Sequence, residues 1–275
     1  MIGSAGGKDL VANRNRLGPK QRAKLLWNVF RENGFIWTSL LVFYYFSSAI
    51  SETTFDRLQK RKLEKNLPGT SSLKANKEIW DNWNWEAGGE EWTLSPEWKE
   101  SLIRNVLHRY IHPGGHILEI GPGAGRWTSV LLEMADTFTA VDVSESCVQV
   151  CRQKFAGRPG ARFLVGNGND LPGVADASVD FLWSFDAFVH INTTETARYV
   201  QEFRRVMRPG ALGVVHHGKN GGLAGGWRSN LTSEAFRKLL NEAGFTIVDE
   251  FETWNDNGKE YPVGLYHDEI TVFRR

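Results

Sequence analysis

Directly after the apolar run Ile117-Leu118-Glu119-Ile120, three glycines stand at alternate positions, Gly121, Gly123 and Gly125, and a helix-forming stretch over residues 127–135 follows them. No other feature of the chain restricts its fold so tightly. A short Ile- and Leu-rich run bounded by turn residues reads as a buried parallel strand. Val130, Leu131 and Met134 then fall at helical apolar positions. Strand, glycine turn and helix in that order open an α/β sheet, and a turn poor in Cβ atoms lets a ligand approach the backbone closely. The spacing also excludes. A dinucleotide fingerprint, G-x-G-x-x-G/A, needs Gly or Ala where Arg126 stands, and the phosphate-cradling G-x-x-x-x-G-K-[ST] is missing from the stretch.

The alternation continues along the chain. Residues 137–143 read as a second strand with Asp142 near its carboxyl end, 144–155 as a helix, 162–165 as a third strand and 179–183 as a fourth. The fourth strand ends in Ser184-Phe185-Asp186-Ala187-Phe188-Val189-His190. A helix over 194–207 leads to a strand over 211–215 that stops at His216-His217-Gly218. A capped helix over 233–243 and two closing strands, 245–252 and 267–273, complete the pattern, with a loop over 254–264 between them. This order argues for a doubly wound sheet.

Ligands of such sheets bind at the carboxyl ends of the strands, which puts Asp142, Asp186 and His190 on one rim. An acidic residue about 20 residues after the glycine turn can accept hydrogen bonds from both ribose hydroxyls, the role expected of Asp142. Neighbouring strand residues point to opposite faces, so at most one of His216 and His217 faces the cleft unless the strand has already ended. Residues 219–229, glycine-rich and closed by Trp227-Arg228, read as a substrate lid.

Glu119, Gly121, Gly123 and Gly125 together spell E-x-G-x-G-x-G, which resembles the first motif of class I S-adenosylmethionine-dependent methyltransferases. The resemblance covers roughly residues 75–275. It implies a Rossmann-like α/β fold, a doubly wound, mostly parallel seven-stranded sheet whose last strand runs antiparallel, and S-adenosylmethionine as the cofactor. Cofactor contacts are then expected at Glu119, Gly121, Gly123, Gly125, Asp142, Asn167, Gly168 and Asp186. Where the family usually has an aspartate and a small residue that read the adenine, this chain has Asn167 and Gly168. The Gly168 N–H would serve a ring nitrogen and the Asn167 side-chain carbonyl the exocyclic amine, with Asn169 and Asp170 as substitutes. Asp186 would sit near the sulfonium.

A sulfonium methyl is already activated, so the protein must align a nucleophile and manage its proton. For a hydroxyl acceptor, a neutral histidine with a pKa of about 6.5 can act as general base. His216 or His217 is the first candidate, His190 the next. The segment 184–187 lacks the Asn/Asp-Pro-Pro-Tyr/Phe signature of some amine methyltransferases. A small-molecule hydroxyl, such as that of a sugar or saccharide, is therefore the expected acceptor. Trp80, Trp83, Trp85, Trp92 and Trp98 suit packing against sugar C–H surfaces. Two other readings stay open: a lipid or quinone methyltransferase at the membrane, and a non-catalytic cofactor-binding module. A divalent metal among Asp186, His216 or His217 and Asn220 suits the donor types, but no spacing demands one, and no metal ligands are assigned.

Lysine plus arginine (33) nearly cancels aspartate plus glutamate (32), so charge gives no reason to expect nucleic acid as a partner. Cys147 and Cys151 lack the surrounding set of a zinc site and read as reduced core thiols, which makes a cytoplasmic location the expectation. Residues 1–18 read as loosely attached. Residues 34–51 carry no charge and include eleven large apolar or aromatic side chains; Lys20, Arg22, Lys24 and Arg31 precede them, and Arg57, Lys60, Arg61, Lys62 and Lys65 follow. Three readings of that segment stand: a helix docked on its own domain or on a second copy in a homo-oligomer, a helix at a membrane surface, and a true span. The expected organisation is an N-terminal extension over 1–70 with the apolar helix at 34–51, a tryptophan-rich helical cap over 71–112, and a cofactor-binding catalytic domain over 113–275. The turn-rich stretch 67–72 is the linker. Ser95 as N-cap and Pro96 at the first helical position open the main helix of the cap.

Overall fold

The computed structural model describes residues 18–65, 67–222, 228–264 and 266–275. The expectations for residues 1–17, and for the middle of the predicted lid at 223–227, lie outside the described residues. The chain divides into two compact units, residues 1–65 and 66–275. The first contains one long helix, α1 (Pro19–Glu64), in which Gly34 is non-helical at φ 79°, ψ 177°, so that two helical runs meet there. A left-handed φ is open to glycine at no steric cost, and Gly34 is the only glycine in the helix.

The second unit is the expected doubly wound sheet. Seven strands, β1 (His116–Ile120), β2 (Thr137–Asp142), β3 (Ala161–Val165), β4 (Val179–Phe188), β5 (Met207–Gly218), β6 (Thr246–Phe251) and β9 (Asp268–Arg274), lie in the order β3-β2-β1-β4-β5-β9-β6. The first five pair in parallel, and β9 runs antiparallel to both β5 and β6. Helices α5 (Thr128–Met134), α6 (Glu145–Lys154), α7 (Thr193–Val206) and α8 (Ser233–Glu242) flank the sheet. Ser144 and Thr232 cap α6 and α8 through their hydroxyls, as their positions before apolar-periodic stretches require. Two apolar layers enclose the sheet, one around Leu102, Ile117, Trp183 and Val214, the other around Leu118, Leu182, Phe203 and Val215. Both layers are needed because central parallel strands are apolar on both faces. Cys147 and Cys151 are free and buried, and burial pushes both thiols up from their ordinary range.

The tryptophan-rich segment packs into this same unit. It comprises α2 (Leu73–Asp81), α3 (Pro96–Leu102) with the Ser95 cap in place, a π-helical turn at Ile103–Leu107 and the short α4 (His108–Tyr110). The loop expected over 254–264 is instead largely a hairpin, β7 (Thr253–Asp256) and β8 (Lys259–Pro262), turning at Asn257 (φ 53°) and Gly258 (φ 83°). Asn-Gly is the strongest short-range signal for a type I′ turn, and it stands in the sequence. The hairpin holds the cap: Trp98 Nε1 donates to the Pro262 carbonyl at 2.7 Å, and Trp254 Nε1 to Ser101 Oγ at 2.8 Å.

Two glycines separate the cost of backbone conformation from the cost of space. Gly121 (φ 72°) would place a Cβ 2.4 Å from that of Ala187, whereas Gly210 (φ 86°) has nothing within 4 Å. Gly210→Ala is expected to lower unfolding free energy by about 1–2 kcal/mol, the left-handed cost alone. Gly121→Ala adds overpacking and should lose about 2–5 kcal/mol in denaturant titration. Equal losses would mean that β4 does not press on the glycine turn.

Candidate functional site

The glycine turn is fixed from below and from three sides. Gly121 N–H donates to the Val141 carbonyl at 2.9 Å, which continues the β1–β2 pairing into the turn. The Cys151 thiol donates to the Gly123 carbonyl at 3.2 Å, and Lys154 Nζ to the Ala124 carbonyl at 3.1 Å, so α6 satisfies two carbonyls that the turn turns outward. A Cβ on Gly125 would lie 2.5 Å from the Phe155 ring, and one on Gly123 would lie 3.1 Å from the Trp85 ring. Space for backbone alone is what selects glycine here.

Asp142 joins this turn to the end of β2. Its Oδ2 accepts from Gly123 N–H at 3.3 Å and its Oδ1 from Ser144 N–H at 2.9 Å. Burial pushes its carboxyl up to about 6. Each oxygen keeps a second lone pair, so the carboxylate can still accept two hydroxyls. Ser144 Oγ in turn donates to Asp81 Oδ1 at 2.8 Å, and Lys77 Nζ to the Val143 carbonyl at 3.3 Å, which brings α2 of the cap over the strand end. Glu119 lies inside, with Thr128 Oγ1 donating to its Oε2 at 2.5 Å; burial raises its carboxyl to about 8, so it stays protonated at neutral pH.

At the turn after β3, Asn167 is placed differently from its expected role. Its side-chain carbonyl accepts the backbone N–H groups of Asn169 at 2.9 Å and Asp170 at 3.1 Å, which uses both lone pairs to shape the turn. A few residues on, Asp170 Oδ1 is a buried acceptor without a protein partner. Leu73 of the cap packs directly on Gly168.

The end of β4 is irregular. Ser184 pairs with Val215 and Phe188 with His217, so three residues of β4 oppose one of β5. Within this bulge Asp186 has φ 62°, a left-handed conformation that aspartate tolerates better than most residues. Its backbone N–H, lacking a ladder carbonyl, donates to His216 Nδ1 at 3.0 Å, and its Oδ1 lies 3.1 Å from the same nitrogen. Asp186 Oδ2 pairs with Arg126. Burial disfavours the charged carboxylate, but the Arg126 guanidinium outweighs it and holds Asp186 well below the usual carboxylate range. His216 Nε2 faces Asp268 Oδ2 at 3.4 Å, and Asp268 pairs with Arg228. The sequence Arg126, Asp186, His216, Asp268, Arg228 is thus two cations and two anions around an imidazole. Charge balances with His216 neutral, and burial lowers its pKa in the same sense. The β4 bulge has no local signature in the chain, and Arg126 carried only an exclusion in the sequence reading.

The three histidines separate. His217 turns to the opposite face of β5: Nδ1 lies 3.0 Å from the Gly218 carbonyl, Nε2 2.8 Å from Thr271 Oγ1, and the ring packs on Phe236 at 4.7 Å. The strand runs on to Gly218, so alternation holds through both histidines, and His217 is a packed interior side chain rather than a cleft base. His216 is on the cleft side but fully enclosed, with Nδ1 engaged and Nε2 against Asp268. His190 is half-buried at the rim, its ring edge-on to Trp80 at 5.2 Å, and its carbonyl accepts from Asn76 Nδ2 at 2.8 Å. Trp80 also contacts Trp83, Trp85 and Trp92, all half-buried, so the cap sets a tryptophan cluster beside His190. Among the described residues, no group of three or more His, Cys, Asp or Glu side chains is arranged to hold a metal ion. Asn220 forms a backbone bridge with Thr232. At the end of the predicted lid, Arg228 and Ser229 are buried and Ser229 N–H donates to the Val189 carbonyl at 2.8 Å.

Residues 117–210 match the family described as a methyltransferase domain. Part of the chain is 43% identical over 58 residues to ribosomal RNA small subunit methyltransferase A of Geobacter sulfurreducens, covering 21% of each. It is 30% identical over 129 residues to demethylmenaquinone methyltransferase of Clavibacter sepedonicus, covering 45% of this chain and 50% of that protein. The chain therefore spans half or less of these relatives. The N-methyltransferase NodS from Bradyrhizobium japonicum, solved with S-adenosyl-L-homocysteine, superimposes with a TM-score of 0.55 at 14% identity, over 74% of this chain and 96% of that one. At that identity the likeness is one of fold. The strand order is that of the Rossmann-like methyltransferase fold, and residues 117–210, which hold the glycine turn, are similar to methyltransferase domains.

Burial lowers the His217 pKa to about 3. An unfolded histidine takes up its proton near pH 6.5, so between those values the unfolded chain binds more protons and stability rises with pH. The stability from neutral His217 is fully present above pH ~6.5 and is lost as pH falls toward 3, at no more than about 1.4 kcal/mol per pH unit. In denaturant titrations from pH 7 to 4, His217→Gln is expected to flatten this slope while starting from lower stability. An unchanged slope would place the acid-sensitive group elsewhere.

Proposed function

We propose that the protein transfers a methyl group from S-adenosylmethionine to a hydroxyl of a small molecule, such as a sugar or saccharide. The observation that carries the reading is the convergence, at one end of the sheet, of the glycine turn, Asp142, the unpaired Asp170 oxygen and the half-buried His190 beneath the tryptophan cluster. When bound, the cofactor supplies a methyl group already activated on a sulfonium. The chain's residues hold and orient. The turn at Gly121, Gly123 and Gly125 admits the cofactor against the backbone, Asp142 accepts the ribose hydroxyls, and Asp170 Oδ1 takes the exocyclic amine in place of Asn167. Arg126, whose Nη1 is buried without a partner, offers a donor to the methionine carboxylate.

Of the three histidines, His190 has the exposure a base needs, and we assign it to accept the proton from the acceptor hydroxyl as the C–O bond forms. His216 positions Asp186 through the backbone N–H. Asp186 stays ionised and near the reacting end of the pocket. The tryptophan cluster, with Trp80 against His190, offers flat apolar faces to a sugar ring. Shared segments with a ribosomal RNA methyltransferase span only 58 residues and carry no acceptor with them.

A lipid or quinone acceptor is the second reading, favoured by the exposed apolar side chains of α1 and by the match to demethylmenaquinone methyltransferase. Acceptors are sought by incubating the full chain with labelled cofactor and separately fractionated aqueous and lipid extracts. Label in the aqueous fraction supports the hydroxyl reading, and label confined to the lipid fraction overturns it in favour of the second. On the acceptor so found, His190→Ala should lower kcat by about 100- to 10,000-fold with cofactor affinity unchanged. Asp170→Ala should weaken S-adenosylhomocysteine binding about tenfold in calorimetry, the cost of one lost hydrogen bond. Full rate in His190→Ala contradicts the base assignment. Binding without turnover on any fraction would mark a non-catalytic cofactor module.

A further inference from the structure

None of the site residues named above belongs to α1, which carries most of the exposed large apolar side chains among the described residues. Phe35, Ile36, Leu40, Phe43, Tyr44 and Phe46 are each more than 60% exposed. At about 100° per residue these six, with Trp37, Leu41, Val42, Tyr45 and Ile50, run round the whole circumference of the helix. An interface with one partner helix or domain needs one apolar stripe; a helix that is apolar on every side needs an apolar medium on every side. Only 6% of its most apolar window is buried, and the helix is long and apolar enough to cross a membrane.

Three further observations point to a lipid bilayer as that medium. The uncharged residues 35–51 make about 26 Å of helix at 1.5 Å per residue, near the hydrocarbon thickness of about 30 Å. Two of the hydroxyls that interrupt the stretch are satisfied within the helix: Thr38 Oγ1 donates to the Gly34 carbonyl at 2.9 Å and Ser47 Oγ to the Tyr44 carbonyl at 2.9 Å. They can enter hydrocarbon without leaving a donor unpaired. Basic residues lie on both sides, Lys20, Arg22, Lys24 and Arg31 before, and Arg57, Lys60, Arg61 and Lys65 after. Lysine and arginine beside an apolar segment attract anionic headgroups. The break at Gly34 separates the first basic run from the apolar run, so the two can take different directions at the membrane surface.

We propose that residues 35–51 insert into an anionic lipid bilayer as a membrane helix, with the flanking cations held at the headgroups. This rests on α1 alone and is independent of which acceptor the enzyme methylates. The test uses the full chain, purified in detergent and diluted into vesicles of phosphatidylcholine with or without phosphatidylglycerol, followed by flotation and an alkaline carbonate wash. The expected result is flotation that is stronger with phosphatidylglycerol and survives the wash. Leu40→Arg with Phe43→Arg, at exposed positions that support no core, should reduce flotation at least tenfold and leave S-adenosylhomocysteine binding unchanged. Removal by the carbonate wash, or failure to float, overturns insertion. So does a detergent-free soluble oligomer that the double variant dissociates, which would make the same helix a contact with a second copy.

Discussion

The carboxylate of Asp142 is the point on which the domain's working end depends. It sits at the end of β2, accepts the N–H of Gly123 from the turn after β1 and the N–H of Ser144 from the start of α6, and Ser144 passes the connection on to Asp81 of the cap. One side chain therefore ties two strand ends, a helix start and the cap together. Burying it is costly, as its upward-shifted pKa records, and two backbone donors offset only part of that cost. Ribose hydroxyls would supply the further hydrogen bonds that an ionised carboxylate at this depth lacks. The same residue is thus a structural joint and, in the proposed function, the acceptor for the cofactor's ribose.

The buried charges around His216 show a second constraint. Arg126 and Arg228 face Asp186 and Asp268, with the imidazole between them. Breaking such a set by removing one member leaves an uncompensated charge in the interior. Its geometry follows from the β4 bulge, which turns Asp186 into a left-handed conformation and releases its N–H to His216. A neutral, fully enclosed histidine suits a role in positioning Asp186, whereas His190 stands half-buried at the rim.

Much of this was legible in the chain because periodicity reports local environment directly. The strand, glycine turn and helix over 116–135, the Ser144 and Thr232 caps and the position of Asp142 all follow from spacing along one element. What was not legible depends on contacts between elements. The reading of strand 211–215 stopped three residues before β5 does, which left the faces of His216 and His217 open. The Asn167 carbonyl looked available until the turn's own N–H groups were seen to occupy it. The hairpin at 253–262 is a different case, since its Asn257-Gly258 turn was a local signal present in the sequence and passed over.

The central claim is that the cap and the glycine turn together enclose an S-adenosylmethionine pocket, with Trp85 lying on Gly123. Tryptophan fluorescence of the full chain titrated with S-adenosylhomocysteine tests it most directly. The account predicts a saturable change in the wild type that is largely lost in Trp85→Phe, while calorimetry shows that the variant still binds. No saturable binding by either method in the wild type, up to millimolar ligand, would contradict it.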